Sequence, residues 1–277
     1  MKTIFLLLTG LVLAAEERAV NPTFLRTNLA NAAAAATPLT TPSCRVYPVF
    51  GEGAPRAAVA RGVARFARIA VDANGKCAPL TLGREEQSWF IMKGEGALNG
   101  KPLRRDDFVY VPAGTAIELS AAAAGIELVQ QGYRVPEGRA GGKEIQIANA
   151  ADVKKQVVGN HPPSTLYQLL IGDTRSTRDR IAAGAVLTSL FIMDIKPDGT
   201  NFPHNHDREE EIYLLLEGEG LMVAGGGSDG VEGKFPAKAG DAYFFRLNTT
   251  VGFYNTSRTN ARILAARSLY PFGKGAN

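Results

Sequence analysis

Two stretches of this chain read as copies of one another, and that repeat restricts the fold more than any other feature. Residues 87–98 (QSWFIMKGEGAL) parallel residues 211–222 (EIYLLLEGEGLM), with Gly94-Glu95-Gly96 matching Gly218-Glu219-Gly220 at an offset of 124. Further on, RDDFVYVPAGTAIEL parallels KAGDAYFFRLNTTVGFY, so Asp107 matches Asp241 at an offset of 134. The ten extra residues fit the Gly-rich insertion AGGGSDGVEG in the second copy. Both copies consist of short apolar or alternating runs, such as ARFARIAV, DFVYVPAG, DAYFFRL and ARILAARSLYP, bounded by Gly, Pro or Asn-Gly. Those are the marks of strands and tight turns. A duplicated all-β domain follows.

The chain is long enough to give each copy a core, at 277 residues with 45% hydrophobic content. That composition excludes wholesale disorder, a collagen and a small disulfide scaffold. The net charge of +4 is spread without basic runs, so neither nucleic acid nor an anionic membrane surface is an expected partner.

Residues 1–15 read as a secretory signal: Lys2 supplies the positive start, Ile4 to Leu13 the apolar stretch, and Ala14-Ala15 the small pair before Glu16. The apolar stretch is about ten residues, against about 20 for a membrane-spanning helix. An uncleaved N-terminal anchor is the alternative. A periplasmic or secreted location is expected, with no membrane association once the signal is removed. In such a compartment Cys44 and Cys77 pair as one disulfide or stay as two reduced thiols; their spacing is far from CxxC, which argues against a zinc or redox motif. Residues 16–42, with the Ala-rich run LANAAAAATPLTTP, read as a leader or linker. Residues 43–135 then form the first barrel, 136–165 a polar connector with a helix near 151–157, and 166–277 the second barrel.

The chemistry concentrates in Pro203-His204-Asn205-His206-Asp207-Arg208-Glu209-Glu210-Glu211. Alternate residues of a strand share a face, so His204 and His206 aim two imidazoles into one space. A strand beginning at Glu211 places Glu211, Tyr213 and Leu215 on one face and Glu210, Ile212 and Leu214 on the other. Two imidazoles and a carboxylate suit one divalent transition metal with open positions, as in non-haem Fe(II) oxygenases. Iron is the first expectation; Mn, Ni, Zn and Cu also accept this donor set. The only other imidazole in the chain, His161 in NHPP, joins the site only if the connector folds back.

Gly199, His204, His206, Glu211 and Gly218 resemble the first cupin motif, G-x5-HxH-x3,4-E-x6-G, with four residues instead of five after Gly199. The second motif, G-x5-PxG-x2-H-x3-N, falls on Gly240, Arg246, Asn248, Val251 and Asn255; only Gly240 and Asn255 match, and the ligand His is Val251. The resemblance implies a bicupin, two small jelly-roll-like antiparallel β-barrels with the metal inside the second. Its aligned positions in the first barrel, Leu80, Leu82, Gln87 and Ile117, carry no good ligand. Tyr243, Tyr254, Asn255 and Arg246 are expected on or near the pocket strands. The aromatics read as lining, and Arg246 as a carboxylate holder or a solvated side chain.

The function expected is a metal-dependent, dioxygenase-like oxidoreductase acting on a small organic molecule. An isomerase or lyase acting on a sugar acid, and a non-enzymatic small-ligand-binding protein, are the alternatives. Exposed barrel edges also make a homo-oligomer an expected state.

Overall fold

The computed structural model describes residues 22–226 and 232–271; the signal expected at 1–15 and part of the Gly-rich insertion lie outside the described residues. The first strands are β1 (Phe24–Asn28), β2 (Cys44–Gly51), β3 (Val63–Val71), β4 (Leu80–Thr81) and β5 (Glu85–Leu98). They are followed by β6 (Lys101–Arg104), β7 (Asp107–Val111), β8 (Ala116–Ile117), β9 (Leu119–Arg134) and β10 (Gln146–Asn149). The second half contains β11 (Thr165–Asp173), β12 (Ile181–Gly184), β13 (Leu187–Ile195), β14 (Glu209–Glu217) and β15 (Glu219–Gly225). It closes with β16 (Glu232–Lys238), β17 (Asp241–Phe245), β18 (Thr250–Tyr254) and β19 (Ala261–Leu269).

One sheet runs β10-β7-β5-β9-β3-β2, with β6 on β5 and the small pair β4–β8 beside it. The other runs β1-β17-β14-β19-β13-β11-β12, accompanied by the smaller sheet β16-β15-β18. Pairing is antiparallel except between β11 and β12. Turn chemistry follows the sequence where it is explicit. Asn99 and Gly100 both take positive φ, at 48° and 75°, between β5 and β6, as the two-residue hairpin turn preferred for Asn-Gly requires.

The faces of the strands divide the core into three. Trp89, Ile91, Val109 and Leu128 pack inside the first half, and Tyr213, Leu215, Met222, Tyr243 and Phe253 inside the second. The third cluster lies between the two large sheets, where Phe66, Phe90 and Phe108 meet Leu190, Ile212, Leu214 and Phe244. Alternation along β14 assigns its two faces to these two places, with Tyr213 and Leu215 inward and Ile212 and Leu214 toward the other half.

Two sequence expectations are corrected. Residues 16–42 are not merely a leader or linker, because β1 is an edge strand of the second half, pairing Phe24–Phe245 through Asn28–Asp241. β10 in turn caps the first half, pairing Asn149 with Asp107. Both edges are pinned alike: Asn28 Nδ2 donates to Asp241 Oδ1 at 2.8 Å, and Asn149 Nδ2 to Asp107 Oδ1 at 2.7 Å. The helix expected near 151–157 is one 3-10 turn, Ala150–Asp152, capped by the Asn149 side chain. A segment that short gains too few hydrogen bonds to sustain an α-helix, and Gln156 instead exchanges main-chain bonds with Tyr167 at 2.9 and 2.7 Å.

Cys44 and Cys77 are joined by a disulfide across a separation of 33 residues. It ties the start of β2 to the segment before β4, among Leu39, Leu119 and Ile126. Replacing both by serine is expected to cost about 3 kcal/mol, mainly by freeing the unfolded chain. The melting temperature then falls by about 6–12 °C; an unchanged melting curve would contradict the assignment of a stabilising role.

Candidate metal centre

The segment between β13 and β14 carries the two histidines of the motif. It is held by main-chain bonds: His204 N donates to Val251 O at 2.9 Å, and Val251 N to His204 O at 2.8 Å. Residues directly opposite in such a pair show their side chains to the same face. The close approach needs Gly252, because a Cβ there would come within 2.8 Å of Pro203 Cα. Asn201, fully buried, fixes the loop from inside: its Oδ1 accepts from Phe253 N at 2.8 Å and its Nδ2 donates to the Tyr213 hydroxyl at 3.0 Å.

His204, His206 and Glu211 converge, with one donor atom of each lying within 4.8 Å of the others. Each imidazole is positioned differently. The ring nitrogen Nδ1 of His204 lies 2.8 Å from Phe202 O; carrying the proton, it donates to that carbonyl and leaves Nε2 as a bare lone pair. Phe202 presents the carbonyl by taking φ 54°, a left-handed conformation that costs a non-glycine residue about 1–2 kcal/mol. His206 Nε2 faces Glu211 Oε2 at 3.4 Å. Both atoms are buried and neither has a hydrogen-bond partner among the described residues. A carboxylate 2% exposed with an orphaned oxygen beside an orphaned imidazole nitrogen is unfavourable unless something positive stands between them. The donor set, two nitrogens and an oxygen, fits a divalent transition metal.

The connector folds back, bringing His161 beside His204. Its ring centroid lies 5.5 Å from that of His204, and those of His204 and His206 lie 5.0 Å apart. Burial holds the His161 imidazole below its ordinary pKa; the Asn201 carbonyl pulls the other way, and the nearby His204 and Arg267 charges add to the lowering. Tyr167 and Phe191 wall the same side, 5.7 Å apart. Tyr213 stays protonated, its pKa raised well above the ordinary value by burial first and then by the Glu211 charge.

Of the other residues expected near the pocket, only Tyr243 faces inward. It is stacked on Phe245 and buried, with its pKa pushed up to about 12 by burial and by the Asp241 charge. Arg246 lies beyond the end of β17 and points its guanidinium at Pro22 O, 3.4 Å away. Tyr254 falls on the opposite face of β18 from Val251 and Phe253, where Lys234 sits over its ring at 5.2 Å. Asn255 is buried, but its amide is spent on Ile195 O and Thr259 O and its oxygen on Ser257, so it builds a turn. The arginine that does face the site is Arg267, the cross-strand neighbour of Glu211. Its Nη1 reaches Glu209 Oε2 at 3.4 Å, its Nε is buried without a partner, and Glu209 lies 3.8 Å from His206 Nδ1.

The first half repeats the geometry without the donors. Leu80 pairs with Ile117 as His204 pairs with Val251. Gln87, in the place of Glu211, accepts from Trp89 Nε1 and Gln130 Nε2, both at 2.7 Å.

The cupin domain family model matches residues 191–267, so the C-terminal part of the chain carries a cupin domain. No curated protein sequence matches the chain. Among solved structures, a putative glyoxylate-induced protein from Pseudomonas aeruginosa is 14% identical, with TM-score 0.72 over 95% of this chain and 96% of its own. An oxalate decarboxylase–formate complex from Lactobacillus farciminis is 13% identical, with TM-score 0.66 over 92% and 88%. The oxalate decarboxylase of Bacillus subtilis, described for its Mn(II) centres, is 11% identical, with TM-score 0.62 over 93% and 80%. At those identities the likeness is one of fold.

Proposed function

We propose that this chain is an exported bicupin enzyme in which His204, His206 and Glu211 hold one divalent iron or manganese ion and act on a small carboxylate-bearing molecule. The observation that carries the reading is the pair of buried, unpartnered atoms, His206 Nε2 and Glu211 Oε2, facing one another beside His204. Such an ion supplies Lewis acidity toward a carboxylate and, in the case of iron, electrons for oxygen chemistry. The chain's own residues do the rest. The Phe202 carbonyl fixes the tautomer of His204. Arg267, a guanidinium on the same face, orients an anionic substrate, and its buried Nε, without a partner among the described residues, is a further donor. Tyr167 and Phe191 exclude water from that side. An oxygen-dependent, dioxygenase-like reaction is the leading form, since two imidazoles and one carboxylate leave positions free for substrate and oxygen. Export is supported by the N-terminal apolar stretch and the Cys44–Cys77 disulfide.

Val251, an apolar side chain opposite His204, favours ligand binding without turnover as the second reading. Elemental analysis of protein purified without chelator or nickel resin separates them at the first step. About one equivalent of iron or manganese is expected, lost in His204→Ala, followed by oxygen uptake with oxalate, glyoxylate or related small carboxylates. No metal even after reconstitution overturns the enzyme reading. A loaded protein that turns substrate over without consuming oxygen redirects it to Lewis-acid isomerase or lyase chemistry.

A further inference from the structure

We infer that His161, supplied by the connector and not by a strand of the second half, is a third imidazole ligand of the ion held by His204, His206 and Glu211. This inference rests on the metal-binding reading above and extends its ligand set.

The chain has three histidines, and the fold brings His161 beside His204 although it lies more than forty residues upstream, its donor atoms standing outside the 4.8 Å cluster of the other three ligands. His161 is placed by its neighbours. Its own N–H donates to Val158 O at 3.2 Å, and Thr165 N closes the following turn onto Pro162 O at 3.0 Å. Pro162 and Pro163 lie between them, fixing two backbone dihedrals in sequence. The ring is then oriented by the device that orients His204. Nδ1 of His161 lies 2.7 Å from Asn201 O, as Nδ1 of His204 lies 2.8 Å from Phe202 O. Adjacent carbonyls of one loop thus fix both rings with Nε2 unprotonated. A carbonyl on the remote nitrogen is the usual support of a metal-ligating histidine.

The ring separations agree. With metal–nitrogen bonds of about 2.1 Å, two imidazoles on one ion have centroids roughly 4.5 Å apart at a right angle and roughly 5.5 Å at a wider one. The observed separations are 5.0 Å for His204–His206 and 5.5 Å for His161–His204, with ring planes crossed at 86° and 70°. The donor atoms of His204, His206 and Glu211 already lie within 4.8 Å of one another, and His161 adjoins that trio from the connector side, in contact with Tyr167 at 5.1 Å. Opposite His204 the facing strand offers only the isopropyl group of Val251, so a third imidazole, if the ion takes one, has to come from His161, the one other histidine of the sequence.

The test uses the full chain loaded with Cu(II) alone for spectroscopy and with Mn(II) alone for affinity. Electron paramagnetic resonance of the Cu(II) protein is expected to show hyperfine coupling to three imidazole nitrogens, and only His161, His204 and His206 can provide them. His161→Ala is expected to show two, to bind Mn(II) more weakly by on the order of a hundredfold, and to regain both properties on adding Val251→His. Two nitrogens in the unaltered protein, or an unchanged Mn(II) affinity in His161→Ala, overturns the inference while leaving the three-residue site standing. Failure of the unaltered protein to bind either ion overturns the metal-binding reading itself. The nitrogen count of the unaltered protein decides the matter even if the alanine variant does not fold.

Discussion

Glu211→Gln is expected to raise the melting temperature of the metal-free protein and to abolish the stabilisation that metal gives. The Glu211 carboxylate is 2% exposed, and its Oε2 has no hydrogen-bond partner among the described residues. Its neighbours include the buried Phe245 across β17 and Tyr213 along β14, with Arg267 on the other neighbouring strand. Leaving a charged group unsatisfied in such a place costs about 1–3 kcal/mol or more. Glutamine keeps the shape, removes the charge, and can donate its amide hydrogen to the free His206 nitrogen that Oε2 now faces at 3.4 Å. A gain of about 1–2 kcal/mol, or roughly 2–8 °C, follows for the metal-free variant. Metal reverses the order. At a hundred times its Kd, an ion stabilises the unaltered protein by about 2.7 kcal/mol, whereas the variant has lost its one anionic donor and gains nothing. Two pairs of melting curves, with and without Mn(II), check both halves of the expectation. A metal-free variant that melts below the unaltered protein would mean that Glu211 is satisfied by its surroundings. A variant that still shifts with Mn(II) would mean that the carboxylate is not a ligand.

The centre of that site was legible because it depends on alternation within a single strand or loop. The faces of β14 that separate Glu211 from Glu210 are set by the two-residue period of a strand, whereas His204 and His206, expected on a strand, lie in the loop before it, where of the two only His204 makes a bridge. What alternation does not contain is which strands pair and in what register. Arg267 faces the site only because β19 lies beside β14 with Arg267 opposite Glu211, whereas Arg246, adjacent in sequence to the inward-facing Phe245, turns toward Pro22. Tyr254 and Asn255 went the same way, placed by motif position but directed outward or into a turn by the local register. The edge strand β1 was hidden for a related reason. Its five residues, FLRTN, pair with β17, more than two hundred residues later, and beside an Ala-rich run they carry no periodicity of their own. Likewise, the helix expected near 151–157 lost to a long-range pairing of Gln156 with Tyr167.

The largest effect on stability is expected from two glutamates that the repeat places in equivalent positions, Glu86 and Glu210. Each reaches out of its own half into the main chain of the other. Glu86 accepts from the N–H groups of Ala185, Val186 and Leu187, all at 2.8 Å, and from the Tyr110 hydroxyl at 3.0 Å. Glu210 accepts from Arg61, Gly62 and Val63 at 2.8, 2.7 and 3.0 Å. Both side chains are fully buried, so these are charge-assisted bonds in a place where water cannot replace them. Glutamine is not a conservative replacement here. It offers one acceptor oxygen where three N–H groups converge and turns an NH2 toward the rest, leaving donors facing donors. Glu86→Gln and Glu210→Gln are each expected to cost about 2–5 kcal/mol, from about two buried N–H donors left unpaired at about 1–3 kcal/mol each. That is a large share of the 5–15 kcal/mol typical of a folded domain. Urea denaturation of each variant checks the figure, with Glu137→Gln, 94% exposed at its side chain, as the neutral control; a loss below about 1 kcal/mol at both buried sites would remove the argument. The two sites are also expected to differ in where the loss is felt. Glu86 belongs to the first half but satisfies the segment leading into β13, so Glu86→Gln should accelerate amide exchange at 185–187 in the half that carries His204, His206 and Glu211. Glu210→Gln should do so at 61–63 in the other, because each half is held in part by a carboxylate it does not itself contain.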